Sequence, residues 1–389
     1  MNNSKYVIVL FLLCFISTIQ LIGESLFGTK SIAYSTDAQW TIIGAGPAGI
    51  IVLGVLLDLG TDPKNIAWVD PEFNIGRMGK YYTSVPGNAK TKQFIEFLNC
   101  CKAFQEVQSP AMDYLYTLDQ EIEYPLKIIV DPLLAITNHF CSIVQCDKSH
   151  LCGLNFANDV WQVSTTDRCF TSAHVILATG CHPKKSGYNC GNEIPLDLAL
   201  DKEYLETQTT LEDTIAVIGS GQSAILLLKH LSELDVGRVL NFFIHPLDFD
   251  HPETGLKGIT ARWAKNVLLK TPPANLMRIH NSCATLKAWL PICNKIIYAV
   301  GFERNEIPPI TQAPYLNFDD RTGILGPRLF GIGIAFPEKY EDEKGKTVSR
   351  IGLISFMEYA QEILPTWMAT KVSLTRYAQF DDLFMIDIL

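Results

Sequence analysis

The chain has 389 residues, 48% of them hydrophobic, with 32 Lys and Arg against 41 Asp and Glu for a net charge of −9. That leaves room for two domains of ordinary size, each with its own core. The acidic balance excludes the nucleic-acid binders that work through a basic face, and the dense charge run from Glu338 to Lys346 mixes signs like a solvated loop.

At the N-terminus, residues 6–23 form an apolar run behind Lys5. Ser31-Ile32-Ala33 has the small-x-small pattern of a signal-peptidase site, so residues 1–33 read as a cleaved signal. Uncleaved, the run is just long enough to cross a bilayer and would attach the protein to a membrane. The expected location is therefore secreted, periplasmic or membrane-anchored, with a body facing the cytoplasm left open. The eleven cysteines have no disulfide spacing, which fits export poorly. No metal-ligand spacing stands out.

The short β-branched run Trp40-Thr41-Ile42-Ile43 leads into Gly44-Ala45-Gly46-Pro47-Ala48-Gly49 and an apolar helix. Gly44 permits a sharp turn, Gly46 lets backbone approach a pyrophosphate, and Gly49 lets helix and strand pack closely. The next strand, Ile66-Ala67-Trp68-Val69, ends in Asp70, about 20 residues beyond the last glycine, where a carboxylate can accept from ribose hydroxyls. Gly76-Arg77-Met78-Gly79 follows as a turn-rich loop, then Tyr81 to Asn88, then helices over about Thr91–Gln105 and Leu133–Val144. Cys141 and Cys146 have C-x4-C spacing but lie well downstream of Asp70. Val160–Ser164 and Cys169–Thr171 read as a hairpin, and His174–Gly180 as a buried strand ending in a tight turn.

The pattern then repeats. Thr214–Ile218 leads into Gly219-Ser220-Gly221-Gln222-Ser223-Ala224, where alanine still allows close packing. At the counterpart of Asp70 stands His245, with no carboxylate for a ribose diol. Arg238, Lys257 and Arg262 are the nearby cations. Lys295–Gly301 repeats the strand-Ala-x-Gly pattern of 174–180. Arg328–Ile334 is a short strand carrying Gly331 and Gly333, and a last helix runs from about Ile351 to Leu364, ended by Pro365. Two strand–turn–helix units imply two dinucleotide sites. The fold class is α/β: one Rossmann-like domain, residues 38–190 and 295–389, with a second Rossmann-like domain, 191–294, inserted.

These residues together resemble the two-dinucleotide-binding flavoprotein superfamily, closest to flavin-containing monooxygenase-like members. The resemblance implies FAD at the first turn and NADPH or NADH at the second. It implies cofactor contacts at Gly44, Gly46, Gly49, Asp70, Gly76, Arg77, Gly79, Gly180, Gly331 and Gly333, and at Gly219, Gly221, Ala224, His245 and Gly301. The segment Tyr82 to Lys90 is similar to one whose asparagine sits near the flavin C4a, so Asn88 is the candidate catalytic residue; Asn88 equally fits an Asx-turn after Pro86-Gly87. Two features depart from the pattern. The Phe, Gly and His that precede the second turn in monooxygenases are replaced by Glu193 to Asp201, and no acid accompanies Gly331–Ile334. The expected activity is FAD-dependent oxidation of NAD(P)H, monooxygenase-like, on a small-molecule substrate or electron acceptor. Two alternatives remain: a reductase of a quinone or small carrier without a redox disulfide, and a non-catalytic flavin- or nucleotide-binding protein.

Overall fold

The computed structural model describes residues 35–369 except 186, 189–190, 252–254, 314–315, 342–344 and 346. Strand β1 (Ser35–Ile43) runs through the first glycine turn into helix α1 (Pro47–Asp58), and β2 (Ile66–Val69) returns parallel to β1, Trp40 beside Ile66. Every residue of α1 from Ala48 to Leu56 is buried. A helix apolar on all sides has no solvent face, so α1 lies between the sheet and other helices. A short helix α2 (Gly76–Tyr81), α3 (Thr91–Asn99) and the long α4 (Lys127–Ile143) follow. Next come β3 (Gln145–Asp147), β4 (Leu151–Ala157), β5 (Val160–Thr165) and β6 (Cys169–Leu177).

Strand β6 is one nine-residue strand where the sequence suggested two. Its first half pairs antiparallel with β5, Trp161 opposite Ser172, and it pairs parallel with β1, Trp40 opposite His174. Strand β7 (Cys181–Pro183) then leads to a second sheet built of β8 (Asn192–Glu193), β9 (Thr214–Ile218), β10 (Arg238–Phe243), β11 (Leu276–His280) and β12 (Lys295–Tyr298). Its order is β11-β10-β9-β12-β8 and its pairings are parallel. Helix α5 (Leu196–Ala199) precedes β9, and α6 (Gln222–Ser232) follows the second glycine turn. The chain leaves through β13 (Phe302–Arg304), antiparallel to β7. It rejoins the first sheet through β14 (Ile310–Thr311), β15 (Ile324–Gly326) and β16 (Leu329–Gly331), the last parallel to the second half of β6. Helix α7 (Leu353–Ala369) closes the described chain.

Local expectations give way where tertiary packing decides. Gly76–Gly79 is helical rather than a loop, entered through Ile75 in the left-handed region at φ 54°. The helix expected over 91–105 breaks at Cys101, whose backbone is extended, and resumes over Lys102–Gln105. Helix α4 begins at Lys127, six residues before Leu133, and carries Pro132 inside. Pro365 does not end the last helix. It removes one backbone donor, while Ile363, Leu364 and Trp367 are buried around it and Trp367 stacks on Phe330 at 4.5 Å.

The apolar run 6–23 lies outside the described residues. Among the described residues no helix is long and apolar enough to cross a membrane, and the described cysteines are free thiols. These findings correct the expectation of a secreted, periplasmic or membrane-anchored protein.

Candidate dinucleotide cleft

The two glycine turns are built alike. Gly44 has φ +109°, and a Cβ there would run into the Ala178 carbonyl; Gly219 has φ +130° and meets the Ala299 carbonyl in the same way. The Gly44 amide donates to Val69 O at 2.8 Å, and the Gly219 amide to Phe242 O at 2.8 Å. The second glycine of each turn, Gly46 or Gly221, has nothing within 4 Å of the space a Cβ would take. Each of these also sits at the N-cap of its helix with no side chain capping the first amides. Uncapped donors beside open backbone are what a phosphate group needs. Gly49 packs against the Gly44 carbonyl and Ala224 is fully buried, so the third position serves packing in both turns.

Asp70 is more tightly engaged than its position in the sequence suggests. One carboxylate oxygen accepts from the Ala45 amide at 2.8 Å. The other accepts from the Glu72 amide at 2.8 Å and the Phe73 amide at 2.6 Å. The side chain thus braces the end of β2 against the glycine turn and also lines the cleft.

That cleft has a volume of about 960 Å³, at the upper end for small-molecule and cofactor sites. It brings together Gly44, Gly46, Asp70, Gly76, Arg77, Asn88 and Gly180 of the expected residues. The start of α2 crosses the first turn closely: a Cβ on Gly76 would lie 3.3 Å from Gly46 Cα. Gly49, Gly79, Gly331 and Gly333 stand behind the wall. Gly79 packs on the Asn74 carbonyl and Gly331 on the Phe336 ring, while Ile332 and Ile334 face the cleft instead. Gly219, Gly221, Ala224, His245 and Gly301 do not line it; His245 lies exposed just beyond β10. Ser223 and Lys257 are the side chains of the second unit that reach in close to the second turn.

Three buried polar atoms without a hydrogen-bond partner belong to cleft-lining residues: Ser149 Oγ, Thr179 Oγ1 and Arg77 Nε. Ser149 is only 3% exposed. Buried polar atoms are costly to leave unpaired, so the wall is made for a polar ligand. The N-terminus of α7 opens on the same space through Gly352 and Leu353. The glycine cradle, the orphaned donors and the uncapped start of α1 fit an extended dinucleotide. The Asn88 amide forms no hydrogen bond among the described residues and is exposed, unlike an Asx-turn side chain.

No family model matches the chain. It is 28% identical over 385 aligned residues to the monooxygenase AgnR1 of Paecilomyces divaricatus, a match spanning 84% of this chain and 97% of that protein. Among solved structures it is similar to a flavin-containing monooxygenase from Stenotrophomonas maltophilia, with 14% identity, a TM-score of 0.58, and coverage of 86% of this chain and 99% of that one. It is likewise similar to the bacillithiol disulfide reductase Bdr of Staphylococcus aureus, with 12% identity, a TM-score of 0.58, and coverage of 87% and 100%. The ornithine N-hydroxylase of Kutzneria sp. 744 gives 12% identity and a TM-score of 0.57 over 86% of this chain and 99% of that one. The fold is that of the two-dinucleotide-binding flavoproteins.

Within this flavoprotein fold several residues on the cleft wall or bonded to it were not legible from the sequence. Asp197 on α5 is buried and pairs with Arg77, and the Tyr82 hydroxyl donates to the same carboxylate. Burial pushes the Tyr82 phenol above its ordinary value, partly offset by the Arg77 guanidinium. Ser84 donates to Asp201 at 2.6 Å, extending the seam between the segment 82–84 and the second unit. Asn305 donates to Thr179 O at 2.7 Å and bonds His182 Nδ1 at 2.9 Å, fixing the crossover. Cys181 lines the cleft, but burial pushes its thiol up to about 11, so it stays protonated at neutral pH. Neither Cys141 nor Cys146 lines the cleft.

Proposed function

We propose that this chain is an FAD-dependent oxidoreductase of monooxygenase type that takes hydride from NADPH or NADH and acts on a small molecule. The observation that carries the reading is the cleft, which begins at the first glycine turn and ends where Ser223 and Lys257 of the second unit reach in. The likeness to a monooxygenase over most of both chains supports the same reading. We assign residues 38–190 and 295–389 to the FAD-binding domain and 191–294 to the NAD(P)-binding domain.

When bound, the flavin supplies hydride acceptance and oxygen chemistry, and the protein supplies binding and orientation. Gly46, Gly76 and the uncapped amides of α1 hold the pyrophosphate. Asp70 keeps the turn in shape and would offer the free lone pair of its Ala45-bonded oxygen to the ribose. Gly49, Gly79, Gly331 and Gly333 keep helix and strands close enough for the wall to form. Gly219, Gly221 and Ala224 would do the same for the second nucleotide, with His245 as the residue that would stand by its adenosine, and Gly180 and Gly301 turn the crossovers. Asn88, with a free amide in the cleft, is a donor for the reacting end.

An anaerobic titration tests the reading. Purified protein loaded with FAD should lose its absorbance near 450 nm when NADPH or NADH is added. A yellow protein that neither nucleotide bleaches would sink it. With substrate and air, Asn88→Ala is expected to raise the hydrogen peroxide released per nucleotide consumed about tenfold, the value of one lost hydrogen bond. Unchanged coupling removes Asn88 from the chemistry. Nucleotide oxidation that proceeds equally without oxygen when a quinone is present would favour the reductase alternative.

A further inference from the structure

We propose that the ammonium of Lys257 pairs with the pyrophosphate of the second nucleotide. The proposal rests on the oxidoreductase reading above. Three cations stand near the second turn in sequence, and the structure separates them. Arg238 opens β10, at the end of the strand away from the turn, and is exposed. Arg262 is taken by Glu123, with nitrogen–oxygen distances of 3.1 and 2.6 Å. Lys257 forms no ion pair among the described residues, and it lines the cleft beside Ser223.

Lys257 is also held by the turn itself. Its amide donates to Gln222 Oε1 at 3.1 Å, and Gln222 Nε2 donates back to the Lys257 carbonyl at 3.3 Å. Gln222 also donates to Thr260 Oγ1 at 3.1 Å, and Thr260 is 1% exposed. Gln222 is the residue after Gly221, where the backbone is open. The glycine turn and the backbone that carries the cation are thus tied together. The next residue, Gly258 at φ +60°, brings this loop against the first unit: a Cβ there would lie 3.3 Å from Asn88 Cα and 3.2 Å from Glu123 Oε2. Glu123, beside Gly258, is occupied by Arg262. Arg278 has a free nitrogen as well, but it stacks on Phe243 at 4.2 Å and does not line the cleft.

A charge on the cleft side of the turn meets the pyrophosphate, which NADPH and NADH share. A charge at the end of β10 would meet the 2′-phosphate of NADPH alone. Calorimetric titration of the FAD-loaded full chain with each nucleotide tells these apart. Lys257→Met should weaken NADPH and NADH alike by about 10–100-fold, with flavin content and melting temperature unchanged. Lys257→Arg should restore most of the affinity. Unchanged binding in Lys257→Met, or loss confined to NADPH, overturns the proposal while leaving the oxidoreductase reading in place. Wild-type protein that binds neither nucleotide overturns both.

Discussion

Gly44→Ala is expected to yield a protein that folds poorly, while Gly46→Ala, two residues on, folds normally and holds flavin badly. At Gly44 a side chain meets two penalties at once. The φ of +109° costs an L-residue about 1–3 kcal/mol, and its Cβ would press on the Ala178 backbone, which belongs to a buried crossover and cannot swing aside. Overpacking of that kind adds roughly 1–3 kcal/mol. A loss of about 2–6 kcal/mol is a large share of the 5–15 kcal/mol that holds a typical domain together, and should lower the melting temperature on the order of 10 °C. At Gly46 φ is −75° and ψ 178°, which any residue adopts, and the added methyl meets open space. Its effect should fall on the ligand, weakening FAD by about 10–100-fold through displaced amide contacts. Melting curves and flavin fluorescence of the two variants decide the matter. If Gly46→Ala melts as low as Gly44→Ala, the second glycine is structural and the phosphate assignment fails.

The second large effect is expected at Asp197. Its carboxylate is buried and serves two partners on the other side of the seam, Arg77 and the Tyr82 hydroxyl. Removing one partner of a buried pair costs about 3–5 kcal/mol when the other charge is left without solvent. The Arg77 side chain is 33% exposed, so screening reduces that, and the stranded Tyr82 hydroxyl adds roughly 1 kcal/mol. We expect Asp197→Ala to lose about 2–4 kcal/mol and to release flavin, because Arg77 lines the cleft. Asp197→Asn keeps an acceptor for Tyr82 and should lose less. Replacing the pair together, Arg77→Met with Asp197→Leu, should recover much of the stability but not the flavin affinity. Thermal melts read the first quantity and flavin occupancy the second. A double variant that recovers both would mean that Arg77 contributes nothing to ligand binding.

What the sequence made legible is the chemistry that lies close along the chain. Strand, turn and helix at 40–58 and 214–232 are local, since the glycines, the β-branched runs and the apolar helices all act within a few residues. The crossover strands are legible for the same reason. The breaks are not local. Cys101 interrupts a helical pattern where its thiol and Phe104 crowd Gly54 of α1, and Pro365 stays inside α7 because Trp367 is anchored on Phe330. Both outcomes are decided by elements far away in sequence. The same holds for the cleft. Arg77 and Asp70 could be picked out, but Asp197 lies 115 residues beyond Tyr82, and nothing short of the docked units puts them in contact. Lys257 could be noted as a nearby cation, whereas its attachment to Gln222 belongs to the folded turn.

The antiparallel pair of β7 and β13 has a consequence for how such a protein changes over time. The path into the second sheet and the path out of it are zipped together at Cys181–Pro183 and Phe302–Arg304. Among the described residues between them, no strand belongs to the first sheet. The second sheet, which we propose serves the reductant, is connected along the chain to the rest by this two-stranded ribbon. A different reductant-binding unit could be exchanged there without re-threading a single strand around the flavin. The two units also meet along a seam, where Asp197 holds Arg77 and Tyr82, Asp201 holds Ser84, and Glu123 holds Arg262, so an exchanged unit would have to match those contacts as well.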